Sequence, residues 1–451
     1  MTMLQTASAT IHRYKRYSAY RDSGVEWLGE IPAHWEVKRL KRVFRVVNGS
    51  TPQSAEPQYW DGHIPWVTPE DLGDLLGPEI QNTRRCITEA GYRSCGTTLV
   101  PSGSLVLSTR APIGHLAIAG DDLCTNQGCR SLVFRGGQAR AYFFYQLLAA
   151  RPELESLGQG STFKELARNI LEDIVLAEPR DVEQRAIATF LDRETARIDA
   201  LVAKKEQLIG LLQEKRTALM ARAVTKGLDP NVPMKDSGVE WLGVIPSHWD
   251  VVPLKRLLTR CDYGISEGLA GTGEVRVLTM AHIQDGEVIL PESGSVAEVD
   301  DEFLLDQHDL LFNRTNSREL VGKVGVFRGS RKDRVSFASY LVRMTAREGI
   351  SPTYLNFLLN SSGVLGLARS MAMLSVNQAN LNPTRYTQIQ VPRPVRGEQE
   401  AISAFLDRET ARIDALVAKV RDAIDCLKEL RTALISAAVT GKIDVRGEVA
   451  A

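Results

Sequence analysis

The chain has 451 residues, 43% of them hydrophobic and 24% charged, an ordinary globular composition that excludes low-complexity and collagen-like classes. Lys plus Arg and Asp plus Glu each total 55, a formal net charge of zero, which removes any whole-molecule electrostatic argument for a nucleic-acid partner. Length alone suggests about three domains at roughly 150 residues each.

In chain order, residues 1–21 form an N-terminal extension without the continuous apolar run of a secretory signal. No window reaches the roughly 20 apolar residues of a membrane helix, so a cytoplasmic protein is expected. A first globular head is expected over 22–180, opening on Asp22-Ser-Gly-Val-Glu-Trp-Leu-Gly-Glu-Ile-Pro-Ala-His-Trp35. Next comes a long helix over 181–227, a linker over 228–235 closed off by Gly227, Pro230 and Pro233, and a second head over 236–395. That head opens on Asp236-Ser-Gly-Val-Glu-Trp-Leu-Gly-Val-Ile-Pro-Ser-His-Trp249, an offset of 214 from the first. A second long helix over 396–441 and a tail over 442–451 complete the chain.

Within the helices, Phe190 to Lys204 returns unchanged as Phe405 to Lys419, an offset of 215. The chain is therefore two halves of nearly equal length. The segments between the repeated pieces, about 38–180 and 252–395, show little resemblance to each other, a pattern that fits one frame carrying two different heads. The six cysteines lack the close paired spacing of a zinc site, and His34 and His248 have no ligand-spaced companions. No metal is expected.

From Glu183 to about Thr225 there is no Pro and a single Gly, Gly210, amid good helix formers. Ile198, Leu201, Leu208, Leu212 and Leu219 fall on heptad spacing in the first helix; in the second the stripe is Ile413, Leu416, Val420, Ala423, Leu427, Leu430 and Leu434. A helix of about 40 residues is about 60 Å long, and a narrow apolar stripe of that length needs a covering partner. Pairing the two copies is the economical solution, with antiparallel and parallel arrangements both accessible; the alternative is that each helix packs on its own head.

The Gly-Val-Glu-Trp-Leu-Gly-x-Ile-Pro-x-His-Trp openings, the Glu-Gln-x-x-Ile helix entries (Glu183, Gln184, Ile187; Glu398, Gln399, Ile402) and the Phe-Leu-Asp-Arg-Glu-Thr helices resemble specificity subunits of Type I restriction-modification systems. Asn48-Gly-Ser-Thr-Pro52, Tyr59-Trp60-x-Gly62-x-Ile-Pro-Trp66, Ser108-Thr-Arg-Ala-Pro-Ile-Gly114 and Thr125-Asn-Gln-Gly128 are similar to that family's target-recognition domains. The likeness runs from about residue 17 to 440. It implies an α/β fold in which two target-recognition domains are joined by long helices paired as an antiparallel coiled coil, with an internal pseudo-twofold repeat. It further implies that each head reads one half of a split, asymmetric DNA target and that the helices set the unread spacer. The partners implied are double-stranded DNA, two methyltransferase subunits docked on the helices and shared regions, and restriction-translocase subunits. S-adenosylmethionine, ATP and Mg2+ would be used by those partners and not bound by this chain.

Neither head is basic overall: residues 22–180 hold 16 Lys plus Arg against 19 Asp plus Glu, and residues 236–397 hold 17 against 18. Phosphate contacts must therefore come from patches. Lys38, Arg39, Lys41, Arg42 and Arg45 are the sharpest cluster of the first half, its alternative being a solvated surface. In the second head, residues 314–334 hold seven basic residues and two acidic ones, and Asn313-Arg-Thr-Asn-Ser-Arg318 supplies amide and guanidinium groups suited to adenine and guanine edges. Arg110 takes a comparable place after Leu105-Val-Leu107. The expected DNA-binding residues are Lys38, Arg39, Arg42, Arg110, Asn126, Gln127, Lys164, Arg314, Asn316, Arg318, Asn377, Gln378 and Asn380; for the Asn and Gln residues a plain turn role is the alternative.

No Gly-x-x-x-x-Gly-Lys-Ser/Thr loop occurs, and Asn382-Pro383-Thr384-Arg385-Tyr386 is only a distant echo of an amino-methyltransferase motif, so no catalytic residue is expected. The competing class is a tandem coiled-coil scaffold whose heads bind protein or glycan instead of DNA.

Overall fold

The computed structural model describes residues 13–448 apart from 76, 137–138, 161–163, 267–272 and 376–377. The fold is mixed α/β. Labels follow chain order. Strands of the first half include β1 (Glu36–Arg39), β2 (Phe44–Asn48), β3 (Trp60–Val67), β4 (Glu79–Ile80), β5 (Leu105–Ser108), β6 (Leu116–Ala119), β7 (Cys124–Thr125), β8 (Cys129–Phe134) and β9 (Val175–Glu178), with helix α1 (Arg140–Ala149) after β8 and the long helix α2 (Asp181–Lys226) after β9. Then come β10 (Asp250–Pro253), β11 (Leu258–Tyr263), β12 (Ile283–Gln284), β13 (Glu287–Val288), β14 (Leu310–Asn313), β15 (Thr315–Asn316), β16 (Val324–Val326) and β17 (Leu341–Ala346). Helices α3 (Pro352–Leu359) and α4 (Ser362–Met371), strands β18 (Met373–Ser375), β19 (Gln378–Asn380) and β20 (Gln390–Arg393), and the long helix α5 (Arg396–Val439) complete the order.

The chain divides into two compact units, one of residues 1–205 with 421–451 and one of residues 206–420, so both long helices are shared between units. In the first unit the main sheet runs β2-β8-β5-β6-β4, antiparallel except for the parallel pair β4–β6. β5 is buried at all four positions, as expected for the apolar run Leu105-Val-Leu107 in mid-sheet. β1 pairs with β9, carrying the chain into α2. Trp35, Phe44, Tyr142, Phe143 and Phe190 join Leu434 to Val445 in one apolar core.

In the second unit the main sheet runs β11-β17-β14-β16-β13-β12, with β13 and β16 parallel. The first five strands repeat the order seen in the first unit, although the sequences of these segments show little resemblance. Burial patterns and connections, which tolerate many side-chain choices, specify such an order. Met220, Ala223 and Val224, at the end of α2, share a core with Trp249, Phe312, Tyr354 and Tyr386.

The repeated sequence pieces have matching contacts in the two units. Trp35 Nε1 donates to Glu183 Oε1 at 3.0 Å, and Trp249 Nε1 donates to Glu398 Oε2 at 3.0 Å. His34 Nε2 lies 2.9 Å from Glu183 and His248 Nε2 lies 2.9 Å from Glu398. Gln184 and Gln399 donate to the carbonyls of Pro179 and Pro394 at 2.9 and 2.8 Å. Tyr142 hydroxyl donates to Ala177 and Val439 carbonyls, and Tyr354 hydroxyl to Pro392 and Val224 carbonyls. Gly227 and Gly441 both have φ of 72°, the left-handed turn that ends a helix and suits glycine. A Cβ on Gly227 would lie 3.3 Å from Trp249, and one on Gly441 3.2 Å from Trp35. Each Trp thus seats a helix end as well as donating to a glutamate, buried at Glu183 and half-buried at Glu398.

The apolar stripe of the long helices takes a different course from the heptad expected. Leu201, Leu208 and Leu416 are 41%, 43% and 43% exposed. Ile198, Ile413, Val417, Ile424 and Leu434 are buried, while Val202, Ile209, Leu212, Leu219, Val420, Leu427 and Leu430 are half-buried. From Ile198 an apolar stripe can step by three to Leu201 or by four to Val202; the covered side takes the step of four, a choice that 3.5-residue periodicity alone leaves open. Two ion pairs join the long helices. Arg431 Nε is 3.0 Å from Asp199 in the first unit, and Arg216 Nε is 3.1 Å from Asp414 in the second.

Candidate nucleic-acid interface

In the first head the sequence after β5 turns sharply. Ser108 Oγ donates to Pro112 carbonyl at 2.7 Å and accepts from His115 N–H at 2.9 Å. This closes a loop that holds Arg110 outward. Thr109 and Arg110 N–H donate to Gly128 carbonyl at 2.8 and 3.2 Å, which brings the loop against Asn126 and Gln127. Asn126 Oδ1 accepts from Gly128 N–H at 2.9 Å, an Asx turn that fixes its carbonyl and leaves the amide nitrogen pointing elsewhere. Gln127 is exposed and accepts from Thr51 hydroxyl through Oε1. Arg110 Nε is 3.0 Å from Glu165, and Arg130 Nη2 is 3.3 Å from the same carboxylate. Lys164, exposed, is the preceding residue. The structure therefore assembles Arg110, Asn126, Gln127 and Lys164 from three separated stretches.

Sequence reasoning passed over Arg130, Glu165 and Arg85. Arg85 guanidinium lies 3.4 Å from the centre of the Trp60 ring, and Trp66 Nε1 donates to Ser50 carbonyl at 3.0 Å. An open groove beside the Arg110 loop is bordered by Trp66, Arg84, Arg85, Pro112, His115 and Asn126. Burial, then the Arg151 guanidinium, hold the His115 imidazole below its usual range. The signal that points to Arg130 is its place two residues after Thr125-Asn-Gln-Gly128.

The basic run at residues 38–45 is partly neutralised by partners distant in sequence. Lys38 pairs with Glu178, and Arg39 and Lys41 lie 3.2 and 2.6 Å from Asp173. These two cations hold the Asp173 carboxyl below the usual carboxylate range, the Lys41 hydrogen bond first. Arg42 is exposed. No hydrogen bond among the described residues ties Lys38, Arg39 or Arg42 to the Arg110 group.

In the second head β14 runs straight into the short strand β15. β15 pairs with β19 (Thr315 opposite Asn380, Asn316 opposite Ala379), and β19 pairs with β18. Arg314, Asn316, Gln378 and Asn380 are brought together on this small sheet. Arg318 is exposed on the turn that follows, and Asn377 lies outside the described residues. Arg314 guanidinium sits 5.2 Å from the centre of the Tyr263 ring and donates to Ser339 carbonyl at 3.3 Å. Asn380 Oδ1 accepts from Thr315 hydroxyl at 2.7 Å; Asn316 Oδ1 accepts from Ser317 N–H at 2.7 Å. The excess of positive charge at 314–334 shrinks once the chain folds. Arg328 is 2.9 Å from Glu287 and Arg331 is 3.2 Å from Asp306, carboxylates that a local count omits.

Among the described residues no group of three His, Cys, Asp or Glu is placed to hold a metal ion, and no helix is long and apolar enough to cross a membrane. Cys124 and Cys129 are buried; burial raises the Cys124 thiol to about 11 and pushes Cys129 higher still.

Residues 32–209 match the family described as Type I restriction modification DNA specificity domain. The chain is 35% identical over 189 residues to the type I restriction enzyme MjaIX specificity subunit of Methanocaldococcus jannaschii, a match covering 42% of this chain. There it spans 43% of that relative's length. It is 23% identical over 424 residues to the type I restriction enzyme EcoBI specificity subunit of Escherichia coli, covering 90% of this chain and 80% of the relative. In fold it is similar to a chain from structural work on complex assembly and conformational transition of the type I R-M system, with a TM-score of 0.69, 15% identity, and coverage of 91% of this chain and 98% of that one. The chain is thus similar to Type I restriction-modification specificity subunits, with the family match over residues 32–209 and the likeness in fold over 91% of its length.

Proposed function

We propose that this chain is the sequence-specific DNA-binding subunit of a Type I restriction-modification complex, acting in the cytoplasm without catalysis of its own. Each head reads one half of a split, asymmetric double-stranded target. Two methyltransferase subunits dock on the helices and shared regions, and restriction-translocase subunits join them; S-adenosylmethionine, ATP and Mg2+ serve those partners. The segmentation that goes with this reading is an extension over 1–21, heads over 22–180 and 236–395, helices over 181–227 and 396–441, a linker over 228–235 and a tail over 442–451.

The observation that carries the reading is the pair of polar groups, Arg110 with Asn126, Gln127 and Lys164, and Arg314 with Asn316, Gln378 and Asn380, in which Arg110, Gln127, Lys164 and Gln378 are exposed and the rest half-buried. The first group lies on loops beside the main sheet of its head and the second on or beside the small sheet of β15, β19 and β18, and the two differ in side chains. Amides and guanidinium groups are the direct readers of base edges, and unlike sets imply unlike half-sites. Lys38, Arg39, Arg42, Arg318 and Asn377 are assigned to the same DNA surface as supporting contacts.

The long helices pair antiparallel as a ruler for the unread spacer. Asp199–Arg431 and Arg216–Asp414 support this: shifting the first helix by 215 converts each partner of one pair into a partner of the other. Such an exchange is what a pseudo-twofold axis between the helices generates. The pairing seam runs through Ile198, Leu212, Leu219, Ile413, Val420, Leu427, Leu430 and Leu434, while the exposed Leu201, Leu208 and Leu416 flank it.

The test is DNA binding by the chain in complex with its methyltransferase subunits. R314A and R318A should each weaken binding to the cognate duplex across a salt series, and R314A should relax selectivity at one half-site only. Parent-like binding by both variants would remove the second-head assignment. Failure of the complex to select any duplex would favour the scaffold class.

A further inference from the structure

The small sheet of the second head carries two large apolar side chains that the core leaves uncovered. Met373 and Leu374, adjacent on β18, are 73% and 64% exposed. Successive strand residues face opposite sides of a sheet, so exposure of both means that β18 projects with neither face packed. Pairing places Leu374 opposite Ala379 and Met373 opposite Asn380, one strand away from Asn316 and Thr315. Tyr263 and Tyr340, beside Arg314, are 49% and 45% exposed.

Resting on the reading of this head as a DNA reader, we propose that β18 is a wedge: Leu374, with Met373 beside it, inserts between stacked bases of the half-site and opens the step that Gln378 and Asn380 then read. Two features select DNA over a protein as the occupant. The apolar pair is one hydrogen-bonded strand away from the readout amides, so a protein covering it would block them. Apolar wedges of Leu and Met are a known means of unstacking a base step, which kinks the duplex and widens the contact surface. The wedge also provides specificity at bases no side chain hydrogen-bonds, because steps differ in the ease with which they open.

The experiment uses the chain in complex with its methyltransferase subunits and a duplex carrying the sequence that this complex methylates. One form of the duplex is intact and a second is mispaired at single steps of the second half-site. L374A and M373A/L374A are compared with the parent and with L374M, and 2-aminopurine at each step reports unstacking. The double variant should bind the intact duplex about tenfold or more weakly, because unstacking costs energy that the wedge no longer returns. On the duplex mispaired at the wedged step it should bind like the parent, and L374M should stay close to the parent throughout. Equal binding of parent and double variant to intact duplex would overturn the wedge, as would an equal loss on intact and mispaired DNA. Weakened association with the methyltransferase subunits, with 2-aminopurine signals unchanged, would assign the face to a protein instead. A parent complex that selects no duplex would overturn the DNA reading itself, and the wedge with it.

Discussion

Trp35 donates its indole N–H to Glu183 at 3.0 Å across 148 residues of sequence, and this bond ties the loop that opens the first head to the first turns of the long helix. Trp35 is 1% exposed and Glu183 5%, so neither group has water as a substitute partner. E183A should therefore cost about 1–3 kcal/mol, the penalty of leaving a buried donor unsatisfied. The matching carboxylate, Glu398, has a side chain 37% exposed and faces a His248 side chain that is 43% exposed. E398A should thus destabilise less than E183A in thermal or denaturant unfolding. Equal losses would mean that burial does not govern these bonds.

The two ion pairs between the long helices contribute modestly. Side chains of Arg431 and Asp199 are 31% and 56% exposed, and those of Arg216 and Asp414 are 27% and 56% exposed. Double-mutant cycles with D199A/R431A and with R216A/D414A should each give coupling of about 0.2–1 kcal/mol, falling as salt rises. Absence of coupling in both cycles would contradict the ion pairs; coupling in one alone would contradict their equivalence.

Cys124 has its thiol raised to about 11 by burial, and the thiolate is the reactive species. At pH 8 its alkylation by iodoacetamide should be slow in the folded protein and should accelerate as the pH climbs toward that value. Unfolding in denaturant should abolish the protection. Labelling at pH 8 as fast as in the unfolded chain would show that the residue is not enclosed.

Asp444 accepts from Arg446 at 2.6 Å, and this bond, opposed by partial burial, holds the carboxyl below the usual range. A carboxyl with a lowered folded value adds stability that is present above the ordinary value of about 3.9 and is lost as pH falls through the folded one. D444N should therefore be less stable than the parent at pH 7, with the difference closing below about pH 4. A difference that persists unchanged at acid pH would show that the carboxylate charge is not its source.

Much of the architecture was legible because the chain repeats itself. The Trp35 and Trp249 loops, Glu183 and Glu398, and the unchanged run Phe190–Lys204 are frame residues, and their identity in both copies marked them before any contact was known. The strand order common to the two heads was not legible, since it is carried by burial patterns that dissimilar sequences satisfy equally well. The heptad stripe was legible as a stripe but not in its register, because Leu201 and Val202 are both apolar and only the partner's position selects between them. Arg110 and Arg314 could be singled out by their place after an apolar strand. Arg130 is marked only by its place after Thr125-Asn-Gln-Gly128, and Glu165 and the exposed Met373–Leu374 pair are not marked at all, since their significance comes from chain segments that meet only on folding. Charge counting was the weakest guide: Glu178, Asp173, Glu287 and Asp306 neutralise runs that look strongly basic in the linear sequence.

The central claim, two unlike readers on a ruler of fixed length, is tested most directly by mapping methylated bases in DNA modified by the chain together with its methyltransferase subunits. The map is made for the parent and for a variant with seven residues inserted at the middle of both long helices. The parent should give one motif split into two unlike parts. The insertion adds about 10 Å of helix, so the variant should keep both parts and lengthen the unread spacer by about three base pairs at 3.4 Å each. A continuous motif, or an insertion that changes the bases read while the spacer stays fixed, would contradict the account.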